Sequence, residues 1–480
     1  MRMYGIFREG SQINQVICAL FINLPVFAYG ASIGWMSPMT LLLQSDKSPR
    51  GTPLTDLEVS WMAAVAYLVC IPGDFIMAFL GDHIGRKRTL MLISFANALT
   101  WIVLLSSTEV WALILARVLV GFSMAGCFVT CPIYTKEISD DNIRGALGSL
   151  VVLFHTTGNL FLYIIGDILS YNTILWICLM IPTFHLIVFM MMPETPSYLI
   201  KRGKTEEAGR VLAWLRGRKE THSSITNEIQ LLQKEQRNDE GSNKFLIKAI
   251  FKDTTLFHAF RIAMVLSLAR EVCGANPVLN FAGGIFSIAS KENSLVLTPN
   301  QQAMLLGAIQ VAGSALASCI IERTGRKFVL FTTSLISGLS MFALASWFLA
   351  TDYSLVLPNW LPIVTLCLCI FCDSAGLAPM TLVILGEIFS FKYRGTVMAA
   401  TMSAASFADF LQLLFFKPIA NAIGIYASFY FFGFICVANA VYVLFWVPET
   451  KARCLDDIYS DLNKVKSKRK DNSSCAEYRL

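Results

Sequence analysis

The sequence predicts an all-α, polytopic membrane protein whose twelve transmembrane helices form two pseudo-symmetric six-helix bundles. Three observations predict it. The 480-residue chain is 55% hydrophobic and only 15% charged, with a mean hydropathy of +0.58, too few charges for an ordinary soluble surface. Apolar runs of about 20 residues, enough to cross about 30 Å of hydrocarbon, recur along it. Short polar phrases also recur half a chain apart, at matching places relative to those runs.

The runs lie at 13–34, 57–80, 89–107, 109–133, 146–169 and 173–192. After a polar interval they resume at 256–288, 301–321, 328–350, 360–385, 396–416 and 424–447. The first is too long for a removable signal peptide and lacks a small-residue cleavage site. The expected organisation is a bundle over 1–199, a cytoplasmic helical insert over 200–255, a second bundle over 256–450 and a cytoplasmic tail over 451–480. Within the insert, "KTEEAGRVLAWLRG" offers Thr205 as an N-cap followed by acids in the first turn. Ala208, Val211, Leu212 and Leu215 then form an apolar stripe at helical spacing, and Ile225, Ile229 and Leu232 form a second. Gly241–Ser242–Asn243 breaks the chain after them.

Basic residues set the orientation. With both termini cytoplasmic, 32 of the 39 Lys and Arg lie on the inner side, and only Lys47, Arg50, Lys291 and Lys417 lie outside. Arg117, Arg261 and Arg270 fall within helices. The formal charge of +6 therefore reflects topology in a lipid bilayer and does not suggest nucleic-acid binding. None of the 13 cysteines falls in an outer loop, so no structural disulfide is expected. Cys367, Cys369 and Cys372 sit in an apolar helix and read as packing residues rather than metal ligands. The sequon Asn472–Ser473–Ser474 lies in the cytoplasmic tail and should stay unmodified. No cofactor is implied. The chain has no Walker A loop, no Ser-His-Asp order and no zinc-ligand spacing, so an enzyme is not expected.

The recurring phrases are "GDHIGRK" (81–87) with "ERTGRK" (322–327), "EISDDNIRG" (137–145) with "EIFSFKYRG" (387–395), and "PET" at 193–195 and 448–450. They indicate a duplicated six-helix unit with both copies parallel, a layout that lets two bundles rock about a site between them. Gly85 and Gly325 would permit tight turns, and Asp82 and Glu322 would favour a helix N-terminus. Arg86, Arg144, Arg326 and Arg394 are expected to pair with Glu137, Glu194, Glu387 and Glu449 across the halves when the cytoplasmic side is closed.

Together with "PETPSYLIKRGKTEEA" and "VPETK", these phrases resemble the sugar porters of the major facilitator superfamily, over nearly the whole chain. "LEVSWMAAV" and "EEAGRVLAWLRG" look most like the insect facilitated trehalose transporters. The resemblance implies the major facilitator fold, alternating access, a plasma-membrane location, a monomeric functional unit and a small solute, with a sugar as the leading class. Residue by residue the sugar site carries over unevenly. In helix 7, Gly274 and Asn276 match, but Arg270 and Glu271 stand where the family has two glutamines, and Asn280 replaces an aromatic. Val152, Leu382 and Ala405 stand at the positions of a glutamine, a tryptophan and an asparagine, whereas Arg117 in "ARVLVG" matches. Proton-coupled members carry an aspartate in helix 1 where this chain has Gly30, which favours a uniporter.

Arg270 and Glu271 sit in the otherwise apolar helix 7. A charge at the bilayer centre costs at least about 2.5–3.5 kcal/mol, so both should face protein or water and find partners. Helical neighbours point about 100° apart, so the two are not expected to satisfy each other fully. Gly274 and Pro277 should weaken the helix beside them. Asp373, Asp409 and the His155/Asn159 pair, four residues apart on one face, are the candidate partners. Two readings stay open: Arg270 and Glu271 bind solute hydroxyls with Asn276, Asn280, His155 and Asn159, or Arg270 pairs with Asp373 or Asp409 and holds helices together. Asp74 reads as a snorkelling or packing acid. A charged or zwitterionic cargo, and a solute sensor that has lost transport, are the alternatives to sugar uniport.

Overall fold

The first apolar run extends further than the sequence predicts, as one span over Ile13–Leu43 built from three consecutive helices. These are α1 (Ile13–Ile22), α2 (Leu24–Gly34) and α3 (Met36–Leu43). The structure, a computed structural model, describes residues 12–240, 250–290, 297–353, 357–389, 391–451, 453 and 457–461. Lys291, Gly241–Ser242–Asn243, the tail from 462 onward and its sequon lie outside the described residues.

The chain continues through α4 (Asp56–Ile84), α5 (Arg86–Ser106), α6 (Val110–Ile138), α7 (Asp141–Ile168) and α8 (Tyr171–Met191). Three short helices follow, α9 (Pro196–Lys201), α10 (Thr205–Arg216) and α11 (Ser223–Glu240). The second half holds α12 (Thr254–Glu271), α13 (Ala275–Ser290), α14 (Pro299–Arg323), α15 (Arg326–Asp352) and α16 (Leu361–Cys372). A π-helical turn, Asp373–Leu377, leads into α17 (Ala378–Ile388), then α18 (Phe391–Ala422) and α19 (Ile425–Trp446). Among the described residues, 11 segments are long and apolar enough to cross a membrane. The twelfth predicted span coincides with α14, a 25-residue helix, but the side chains of residues 318–323 lie outside the described set.

Local chemistry explains the boundaries. Thr55 and Glu58 form a reciprocal capping box that starts α4: Glu58 N donates to Thr55 Oγ1 at 3.3 Å, and Thr55 N to Glu58 Oε2 at 2.8 Å. Asp253 caps α12 by accepting from Thr255 N at 2.8 Å. The N-cap of α10 is Lys204, not Thr205. Lys204 N closes back on Leu199 O at 2.9 Å, so the chain reverses there and Thr205 already belongs to the helix.

The chain forms two compact units, Met1–Ser242 and Asn243–Leu480. The insert does not stand apart, because α9–α11 group with the first unit. Asn14 Nδ2 donates to Trp214 O at 2.7 Å and Gln15 Nε2 to Leu215 O at 3.2 Å, tying α10 to α1. Arg216 pairs with Asp140 at 2.9 Å and with Glu228 at 2.6 Å, adding α7 and α11 to the same joint. Each unit has its own apolar core, one around Val26, Tyr29, Ile93 and Cys131, the other around Ile262, Leu330, Ile384 and Val443.

Polarity is inverted relative to a soluble protein. Large apolar side chains such as Phe79, Trp176, Ile187 and Phe434 are exposed, while Asn97, Ser123, Ser334 and Asn439 are buried. Helices that satisfy their own backbone can present such a surface to lipid. The molecule is therefore an integral, multi-pass membrane protein.

Candidate functional site

The run of helix 7 breaks where Gly274 and Pro277 predict it. α12 ends at Glu271, Gly274 adopts φ +90°, and α13 begins at Ala275. At that φ a side chain would be strained, and a Cβ on Gly274 would lie 2.4 Å from the Phe432 ring. The break places Arg270, Glu271 and Asn276 around one point of the second unit. Arg270 Nη1 donates to Glu271 Oε1. Asn276 Nδ2 donates to Glu271 Oε2 at 3.1 Å and to Asp409 Oδ1, on α18, at 2.7 Å. Gln412 Nε2 completes the group by donating to Glu271 O at 3.1 Å and Asp409 Oδ1 at 3.2 Å.

Arg270 and Glu271 bond each other but do not satisfy each other fully, as the sequence predicts: the buried Arg270 Nε has no hydrogen-bond partner. Arg270 makes its ion pair with Glu271 rather than with Asp373 or Asp409, although both acids act on it through their charges. Asp373 sits in the π-helical turn, an irregularity frequent at functional sites. Asn280 is fully buried and turns its amide back on its own helix, donating to Asn276 O at 2.9 Å. Gln412 escapes the sequence reading; the available signal was its place three residues after Asp409, on the same face of a helix.

His155 and Asn159 belong to the first unit, and their described neighbours are there. The His155 ring stacks on Tyr29 at 5.2 Å and meets Phe128 at 6.0 Å. Asn159 is buried against α2, where a Cβ on Gly34 would lie 2.6 Å from its Oδ1. α2 and α7 approach backbone to backbone: a Cβ on Gly30 would lie 2.1 Å from His155 O, and one on Gly158 would lie 2.2 Å from Phe27 O. Small residues permit this approach between membrane helices. Gly30, where an acid would sit in a proton-coupled relative, is thus a packing position. Arg117, 3% exposed, donates to Met62 O at 3.0 Å and Ser32 O at 2.8 Å. It ties α6 to α4 and α2 through carbonyls.

The repeated phrases build the same device in each unit. Arg86 Nε donates to Glu137 Oε1 at 3.2 Å, and Arg326 Nη2 to Glu387 Oε1 at 3.2 Å. Arg86 also reaches Asp82 at 2.8 Å, one turn back on α4, so Asp82 is a partner of the arginine rather than a helix-start acid. The helix-start acids are the "PET" glutamates. Glu194 accepts from Lys87 N at 3.1 Å at the start of α5, and Glu449 accepts from Arg326 N at 3.0 Å at the start of α15. Burial pushes the Glu194 carboxyl up, against the lowering effect of the Thr195 and Lys87 amides. The described pairs of Arg86 and Arg326 thus repeat the same arrangement in the two units. Arg144 is exposed and donates to Ser139 O at 3.3 Å. The side chains of Glu322 and Arg394 lie outside the described residues.

Gly85 has φ +100°, as a tight turn requires, whereas Gly325 has φ −70° and needs no such freedom. What the two share is space: a Cβ would lie 2.3 Å from Glu194 Oε2 at the first and 2.6 Å from Glu449 Oε2 at the second. Gly325→Ala should displace the Glu449 carboxylate from its amides and cost about 1 kcal/mol, the usual worth of an N-terminal cap. A thermal melt of the purified protein beside Glu449→Ala checks this; the two variants should melt at similar, lowered temperatures.

The sequence matches a family described as "Sugar (and other) transporter" over residues 17–462. The chain belongs to this family. It is a family of transporters, not of enzymes. Curated relatives in it include the facilitated trehalose transporters Tret1 of Culex quinquefasciatus and Aedes aegypti, each 26% identical over 450 residues, or 93% of this chain. The chain spans 85% of the Culex protein but only 54% of the Aedes one. Among solved structures, the inward-open xylose transporter XylE from E. coli superposes with a TM-score of 0.76 at 18% identity, covering 93% of this chain and 99% of that one. A D-xylose-proton symporter gives 0.70 at 17% identity, covering 93% and 100%. These likenesses establish the major facilitator fold, and with it the all-α class that the sequence predicts.

Proposed function

We propose that this member of the sugar transporter family is a facilitative uniporter of a sugar, trehalose or a hexose, working by alternating access in the plasma membrane with both termini cytoplasmic. The observation that carries the reading is the break between α12 and α13, which groups a guanidinium, carboxylates and two amides around one point. A polyol needs many donors and acceptors at once, and this group offers both. Arg270, Glu271 and Asn276 are the proposed contacts of the second unit, with Asn280 behind them, and His155 and Asn159 are the proposed contacts of the first unit. Uniport is supported by Gly30, whose position has no room for an acid, and by Arg117, whose described hydrogen bonds go to carbonyls. The Tret1 relatives support trehalose as the first solute to test.

Radiolabelled trehalose and glucose uptake in oocytes tests the reading. Wild type should take up at least one of them, and collapse of the proton gradient at constant external pH should leave the rate unchanged. Asn276→Ala and Glu271→Gln should each lower uptake by about tenfold or more, the effect of losing about 1.4 kcal/mol or more of bound-state interaction. Wild-type protein at the cell surface with no flux of either sugar would refute it.

A further inference from the structure

We propose that Asp409 holds a proton beside Glu271, so that the second unit contains a proton-binding site whose emptying at high pH also slows solute movement. Only the last clause rests on the transport reading above.

The argument starts from a charge count. Glu271 is 7% exposed, Asp409 3% and Asp373 6%, and the one cation among them is Arg270. Three buried carboxylates against one guanidinium would leave two uncompensated negative charges within membrane-spanning helices, an arrangement that low dielectric strongly disfavours. The geometry then says where a proton goes. One amide nitrogen, Asn276 Nδ2, bonds both Glu271 Oε2 and Asp409 Oδ1. Two acceptors on a single nitrogen lie within about 5 Å of each other, and two carboxylates at that separation do not both ionise.

An independent observation comes from the π-helical turn. Asp373 acts electrostatically on Arg270 and Glu271, yet its buried Oδ1 has no hydrogen-bond partner. Arg270 Nε likewise has none. The guanidinium's ion pair goes to Glu271, which leaves Asp409 without a cation bonded to it among the described residues. The titratable neighbours on the surrounding elements are Cys273 in the break, Cys436 on α19, and Cys369 and Cys372 on α16. Glu387, at the end of α17, is already held by Arg326 and Thr450. None of these supplies a positive charge, so a proton on Asp409 removes one of the two uncompensated charges.

Gln412 fits this assignment. Its amide donates to Asp409 Oδ1, which therefore accepts from two amides. The proton then resides on Asp409 Oδ2, the oxygen that the amides leave open.

Infrared difference spectra of the purified protein in lipid nanodiscs, recorded across a pH titration, test the proposal without requiring transport. Wild type should show a protonated-carboxyl band at about neutral pH whose amplitude falls about tenfold per pH unit above its midpoint, as a single site requires. Asp409→Asn should abolish that band, and Glu271→Gln, which removes the neighbouring negative charge, should move its midpoint to lower pH. Thermal stability should follow: the folded chain holds a proton that the ionised unfolded chain does not, so wild-type stability falls as pH rises, and the slope flattens in either variant. A wild type without a titrating carboxyl band would overturn the assignment and leave neutralisation to a bound cation; so would a band that survives Asp409→Asn. If one variant fails to fold, the other and the wild-type spectrum decide. Uptake measured at equal pH on both sides should decline with the same midpoint. A matching spectrum with no uptake at any pH would sink the transport reading and leave the proton site standing.

Discussion

Replacing Arg270 with methionine is expected to cost the second unit much of its stability. The methionine fills most of the side-chain volume but removes the cation that, among the described residues, pairs with Glu271 and acts on Asp373 and Asp409. Breaking a buried ion pair by removing one partner costs about 3–5 kcal/mol, because the surviving charge has neither water nor a counter-ion. The variant should melt many degrees below wild type in fluorescence-detected size exclusion, and less of it should reach the cell surface. The cause can be separated from lost packing. Adding Asp373→Asn to Arg270→Met removes one of the stranded charges and should recover part of the melting temperature, and acidic buffer should do the same. A single Arg270→Met protein that melts like wild type at neutral pH would show that the three carboxyls do not depend on this guanidinium.

Gly30→Asp should fail for a different reason. The position looks like an opportunity, since an acid there would stand in helix 1 as it does in proton-coupled relatives. A Cβ at Gly30 would lie 2.1 Å from His155 O, a backbone atom that has no rotamer to escape into. α2 and α7 would have to separate, undoing their neighbouring contacts at Gly34 and Gly158. Overpacking a well-filled interior costs about 1–3 kcal/mol when side chains can adjust, and a clash with backbone should exceed that range. The expected result is little or no folded protein at the surface, with Gly30→Ala impaired in the same direction. Normal surface levels and uptake in Gly30→Asp would contradict the close approach of these two helices.

The two substitutions mark the boundary of what could be read in advance. The helices and the duplication were legible because hydrophobic run length and repeated phrases are local properties of a chain. The break in helix 7 was legible for the same reason: Gly274 and Pro277 act on their own backbone. The roles of Glu194 and Glu449 were not. Each caps a helix more than 100 residues away in sequence, and "PET" carries no mark of which helix start it will meet. Asp82 was read as a helix-start acid because it precedes α5, whereas its position one turn before Arg86 makes it a partner of that side chain. Gly325 was read as a turn former, yet its backbone is ordinary and its use is to admit a carboxylate.

In the polar cluster, the sequence identified Arg270, Glu271 and Asn276, and it offered Asp373 and Asp409 as partners. It did not reveal that one amide would bridge Glu271 and Asp409, nor that Gln412 would join them. From the sequence alone came the class of protein, the number and order of its spans, the duplication and the place where helix 7 fails. Those depend on composition and on interactions within a few residues. The tertiary structure alone decided which acid meets which base in the described pairs, and that the space at Gly30 is filled by a neighbouring backbone. Such outcomes depend on distances between segments far apart in the chain, and these exist only once the helices have packed.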